Sequence, residues 1–191
     1  FNFLNFLVMK ALKKIKTTLF LLTLLMVFVG YSQSENQTEI SYEVNNGPVY
    51  PIQGTSSQIV GSAHINDKTL NLEKLSFEVP LESFTGIHAE YLAWLGSARY
   101  NPNLKFNGNK VVKKGNDYIV SGNIDFRRQI SNQDITVTEQ QTDNEIILKG
   151  SFLFSPRDYF MSPTSFVLVP SIIPMKFTMI FDKSEISTKK S

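Results

Sequence analysis

The stretch from Leu75 to Phe106, LSFEVPLESFTGIHAEYLAWLGSARYNPNLKF, changes backbone period twice and so restricts the architectures open to the chain. Leu75, Phe77, Val79 and Leu81 alternate with Ser76 and Glu78, which is the pattern of a strand with one apolar face. Pro80 lacks an N–H and limits how much further that strand can pair. From Ile87 to about Leu95 the alternation stops. Ile87, Tyr91, Trp94 and Leu95 fall at i, i+4, i+7 and i+8, the spacing of one helical face. Gly96 is a natural stop for that helix. Asn101-Pro102 makes a turn, and Asn103-Leu104-Lys105-Phe106 opens a new strand.

Around this crossover the chain is strand after strand. Ile40, Tyr42 and Val44 alternate before an Asn45-Asn46-Gly47-Pro48 turn, and Gln58 to Ile65 forms a second strand. Leu70 to Leu81 is a long third, with a bend near Glu73-Lys74. Leu104 to Val112 leads into a Lys113-Lys114-Gly115-Asn116 turn. In Asp117 to Phe126, Tyr118, Val120, Gly122, Ile124 and Phe126 share one face. Ile135 to Thr138 precedes a polar turn at Thr142-Asp143-Asn144. Glu145 to Phe154 sets Ile146, Leu148, Gly150, Phe152 and Phe154 on one side, and Met175 to Phe181 closes the series. About eight strands with regular turn signals and one helical insert predict an antiparallel sandwich or barrel. Gly61, Gly122 and Gly150 sit in mid-strand, where glycine weakens pairing unless it permits a bend or a close approach. A barrel needs such bends, whereas in an open sandwich the same glycines would mark bulges.

Residues Met9 to Ser32 have the layout of a secretory signal peptide. Lys10, Lys13, Lys14 and Lys16 form a basic region, Leu19 to Val29 an apolar one, and Gly30-Tyr31-Ser32 a small-residue cleavage site. The apolar run is 11 residues, against roughly 20 for a bilayer-spanning helix. The expectation is a periplasmic or secreted protein cleaved after Ser32. Phe1 to Val8 are read as upstream of the first methionine, residues 39–182 as one domain and 183–191 as a polar tail. The leader contains four lysines and no acid, so the remainder carries 15 basic against 17 acidic residues, a net charge near −2. The chain's basic pI of 8.7 therefore gives no support for nucleic-acid binding.

The sequence contains no cysteine, which excludes disulfides, thiolate metal sites and a cysteine nucleophile. His64 and His88 are the only histidines and lie on different elements, so no metal and no other cofactor is expected. No G-x-S-x-G elbow and no Gly-rich phosphate loop occurs, and the carboxylates are scattered. These residues give no basis for an enzyme.

Four segments resemble those of the YceI-like family, whose members are lipocalin-like, polyisoprenoid-binding periplasmic proteins. Leu75 to Leu81 is similar to its alternating strand ending near proline. Asn101-Pro102-Asn103-Leu104-Lys105-Phe106 resembles its P-x-I-x-F strand, Asp117 to Ile124 its y-x-v-x-G-x-L strand, and Phe154 to Phe160 its R-x-D-F-G segment. In place of the family's R-D-x-H-L run only His88 is present. Arg127-Arg128-Gln129 occupies the place of its glycine hairpin, and the glycine after Asp158-Tyr159 is missing. The resemblance implies an all-β, antiparallel eight-stranded lipocalin-like barrel with a short helical crossover, and an isoprenoid or other amphiphilic lipid as partner. Inward candidates for contact with an apolar ligand are Phe77, Phe106, Phe126, Phe152 and Phe177, with Tyr91 and Trp94 at a tunnel mouth and Arg157 as a headgroup anchor. The alternative is a structural or interaction protein of the cell envelope whose barrel is filled by its own side chains.

Overall fold

The computed structural model describes residues 37–45, 51–66, 68–69, 71–159 and 170–183. Asn46, Gly47 and Pro48 of the expected turn, the leader and the tail beyond residue 183 lie outside them. Among the described residues nine strands are present: β1 Glu39–Asn45, β2 Pro51–Ser56, β3 Val60–Ile65, β4 Leu72–Pro80, β5 Asn103–Lys114, β6 Asp117–Phe126, β7 Gln129–Gln141, β8 Glu145–Phe154 and β9 Ile173–Asp182. One helix, α1 (Glu90–Gly96), lies in the β4–β5 crossover, and short 3-10 turns occupy Leu81–Ser83 and Pro156–Tyr159.

All nine strands form one antiparallel sheet in the order β2-β1-β9-β8-β7-β6-β5-β4-β3. Its two edges are consecutive in the chain. Laid flat, nine strands would be about 38 Å wide, yet the link from Ser56 to Val60 reaches only about 14 Å. The sheet must therefore curl until its edges approach. β2 is lined by the segment after β4 rather than by β3. Thr55 and Thr85 exchange backbone hydrogen bonds of 2.9 Å, and the Gln53 N–H donates to the Ile87 carbonyl at 2.9 Å. Gly86, at φ +138°, lies where a Cβ would come within 2.6 Å of the Gln53 carbonyl oxygen.

The strand missing from the sequence reading is β2. Pro51 and Gly54 speak against a strand, but Pro51 is its first residue on an edge, where the absent N–H costs no ladder bond. Gly54 lies opposite Tyr42, whose ring occupies the space of a Cβ there, at 2.4 Å. β7 is also longer than Ile135–Thr138, because Arg127 and Arg128 both take positive φ (57° and 58°) and close a two-residue hairpin directly after β6. That is the backbone of a turn usually built from Asn-Gly.

The alternating faces expected for β4, β6 and β8 are the buried faces. Leu75, Phe77 and Val79, then Tyr118, Val120, Ile124 and Phe126, then Ile146, Leu148, Phe152 and Phe154 all point to one core. Among the described residues, Ser56 is the one buried polar side chain besides the tyrosines, and its hydroxyl bonds that of Ser83.

Candidate functional site

The inward face is apolar from β4 round to β1, and its aromatic side chains fall into two groups. In the first, the Phe77 ring stands 5.3 Å from Phe106, 6.3 Å from Phe152 and 5.0 Å from Phe177, between centroids. β4 and β9 are four strands apart by way of the β2–β3 seam and five the other way. The Phe77–Phe177 contact therefore joins opposite walls. Gly61 on β3 faces Phe77 in register, and Met179 from β9 reaches within 2.4 Å of where its Cβ would stand. Glycines let these side chains lie against the wall: Phe177 folds over Gly150, its partner on β8, with Cζ 2.1 Å from the missing Cβ.

The second group lies where α1 packs. Phe126 meets Phe154 at 5.0 Å and Tyr159 at 5.4 Å, edge to face. The absent side chain of Gly96 is what lets α1 close on this group, since a Cβ there would come within 2.2 Å of Leu81 and 3.0 Å of Phe126. Burial pushes the Tyr159 hydroxyl up to about 12, helped by the charges of Asp158 and Asp125 and opposed by the Ser131 hydroxyl. Phe154 and Tyr159 were not among the expected ligand contacts. The even spacing of Phe152 and Phe154 on one strand was the signal for the first.

All five expected inward phenylalanines are buried on this face. The crossover residues lie elsewhere. The helix spans Glu90–Gly96 rather than Ile87–Leu95, and its inner face is Leu92, Leu95 and Gly96. His88 takes φ +53°, so Ile87 is not on the helix and the i, i+4, i+7 face does not exist as one surface. Trp94 is 57% exposed and stacks on half-buried Tyr91 at 5.7 Å, outside the core. Arg157 is exposed on the turn that buries Tyr159.

α1 is tied to the barrel from both ends. Tyr42 on β1 donates its hydroxyl proton to the Ala89 carbonyl at 2.9 Å. Burial pushes this hydroxyl up to about 12, with the charges of Glu90 and Tyr91 adding and the Leu92 backbone N–H opposing. At the other end Arg127 donates to the Leu95 carbonyl at 2.8 Å and to the Ser97 hydroxyl at 3.1 Å. A cation there satisfies carbonyls that have no partner within the helix.

His64 lies 3.4 Å from Glu73 and His88 3.7 Å from Glu90, each pair exposed. Among the described residues no three His, Cys, Asp or Glu side chains come together as a metal site would require.

No family model matches the sequence, and no curated protein matches it. The fold has solved counterparts. The crystal structure of BcnA from Burkholderia cenocepacia superposes with a TM-score of 0.61 at 14% identity, covering 75% of this chain and 95% of that one. The YceI protein of Campylobacter jejuni gives 0.60 at 11% identity, covering 73% and 90%. The chain therefore has the fold of the YceI proteins: an all-β antiparallel barrel-like sheet with a short helix, here with nine strands among the described residues instead of the expected eight.

Proposed function

We propose that this chain is a binding protein without catalytic chemistry, which takes the apolar tail of an isoprenoid or similar amphiphile into the barrel interior. The observation that carries the reading is the inward face, which is apolar among the described residues apart from Ser56 and the hydroxyl ends of Tyr42, Tyr118 and Tyr159. An apolar tail entering such a space meets few polar groups, and those of Ser56, Tyr42 and Tyr118 are already bonded within the protein. Each methylene moved from water contributes about 0.8 kcal/mol, so area alone can hold a long tail. Met175 and Met179 lie among the rings and can change rotamer at low cost, which suits a wall that must part. Arg157, at the rim, is the proposed headgroup contact.

The Phe77–Phe177 contact across the interior favours a second reading, in which the barrel is packed by its own side chains and serves as a structural element. Mass spectrometry of an organic extract from protein purified without detergent separates the two. Stoichiometric lipid is expected. An empty extract, together with no rise in Tm when a long isoprenoid is added, would leave the filled barrel as the function. Export follows from the Met9–Ser32 pattern, and N-terminal sequencing of mature protein should begin at Gln33.

A further inference from the structure

Antiparallel order fixes which connections leave by which end of the barrel. Pro80 pairs with Asn103 and Phe154 with Ile173, while β6 turns into β7 at Arg127-Arg128. The β4–β5, β6–β7 and β8–β9 connections therefore leave by one end, the one that carries α1. Among the described residues eight large apolar side chains are exposed, and six belong to this end: Ile87, Trp94, Tyr100, Ile130, Leu153 and Ile172. Val60 starts the β3 edge, and Val112 alone lies toward the opposite end, whose turns are Gly115-Asn116 and Thr142 to Asn144.

The charges are sorted as well. The chain has four arginines, Arg99, Arg127, Arg128 and Arg157, and all of them lie in these same connections. The Arg99 guanidinium lies 5.7 Å from the Tyr100 ring centroid, and Arg128 donates to the Tyr100 carbonyl at 3.4 Å. Lysines serve the walls and the other end, for example Lys105 paired with Glu78 at 3.0 Å and Lys113 bonded to Asn71 at 2.8 Å. Tryptophan, tyrosine and branched aliphatic side chains set among guanidinium groups match a phospholipid headgroup layer. The rings and aliphatic chains enter the acyl boundary, and the planar guanidinium forks of exposed Arg99, Arg128 and Arg157 take phosphate oxygens, while Arg127 holds the end of α1.

We propose that the α1 end of the barrel docks on the surface of a phospholipid bilayer. Glu82, Glu90 and Asp158 are exposed at the same end, so the face is not strongly cationic. Docking is driven by apolar insertion, with the arginines complementing the phosphate that every phospholipid carries. This goes beyond the reading of the interior and stands whether that interior is open or filled.

Trp94, the chain's one tryptophan, reports on the face directly. Vesicles of equal phosphatidylcholine and phosphatidylglycerol are added to the full-length mature protein at physiological salt. Co-sedimentation, a blue shift of Trp94 emission and its quenching by brominated acyl chains are expected. The exposed-residue variant Ile87→Ser/Tyr100→Ser/Ile130→Ser keeps Trp94 and should weaken partitioning by about tenfold or more, since it removes three of the inserting side chains. Its Tm should stay near that of the parent, as none of the three is buried. No association, or association equal in the variant, would overturn the proposal. So would light scattering that shows a dimer in which Trp94 is already protected, because the face would then belong to a second copy. The vesicle assay is read separately from the lipid extract, so either proposal can fail alone.

Discussion

Replacing Phe77 by alanine tests where the two walls of the barrel meet. The ring is 3% exposed and touches Phe106, Phe152 and Phe177, from its own wall and from the opposite one. Removing a buried phenylalanine costs about 3–5 kcal/mol through lost transfer energy and the cavity left behind. Three ring contacts of about 0.5–1.5 kcal/mol each place Phe77→Ala toward the upper part of that range. For a domain of this size the loss corresponds to a fall in Tm of about 6–20 °C. Urea titration with an unchanged m-value would measure it. The same variant should gain affinity for an isoprenoid, because a tail segment can fill the vacated space and return about 0.8 kcal/mol per methylene. A long isoprenoid should therefore raise the Tm of the variant more than that of the parent. A loss under about 1 kcal/mol would refute the reasoning, since it would mean that the walls stand apart in solution and the ring borders open space.

Gly150→Ala should destabilise by about 1–3 kcal/mol, read by urea midpoint, because Phe177 already lies within 2.1 Å of the position of the new methyl group. Tyr42→Phe removes the hydroxyl that bonds Ala89, and the orphaned carbonyl should cost about 1–3 kcal/mol, with faster hydrogen exchange in Glu90–Gly96. Tyr42 and Tyr159 are both raised to about 12 from 10.0. The unfolded chain releases these protons first, so their contribution is full below pH 10 and declines from there to about 12, at about 1.4 kcal/mol per pH unit for each tyrosine. Thermal melts that showed no alkaline loss in this window would contradict the burial of both rings. Arg128→Gly relieves a positive φ of 58° and gives up only a 3.4 Å hydrogen bond, so Tm should stay level or rise slightly.

β6 and β8 were legible because an apolar residue recurs at every second position along one face, even though Ile119, Ile147 and Leu153 add apolar side chains on the other. The first half of β7 was not, since Gln129 to Asp134 has polar residues on both faces and its one large apolar side chain, Ile130, points to solvent. β2 was hidden by Pro51 and Gly54, whose tolerance depends on an edge and on the Tyr42 ring, both features of the assembled sheet. Of the site, the inward side of Phe77, Phe126, Phe152 and Phe177 could be read from period 2, whereas β5 carries apolar residues on both faces and its pattern alone did not place Phe106. The helix face could not, because the break at His88 is a single backbone angle that no side-chain pattern announces.

The pairing of β1 with β9 fixes an order of events. Ile40 faces Phe177 in that register, and β2 pairs with β1 as its one neighbouring strand, its other edge meeting the segment at Thr85 and Ile87. The β1–β2 hairpin thus waits for β9, which is made after every other described strand, with Ile40, Tyr42, Val44 and Ile52 uncovered in the meantime. Contacts this distant along the chain slow folding, and an early hairpin with an apolar face invites association with other chains. A chain stopped before residue 173 would lack β9 entirely and leave β1 without one of its two neighbours, so closure of the sheet waits for β9.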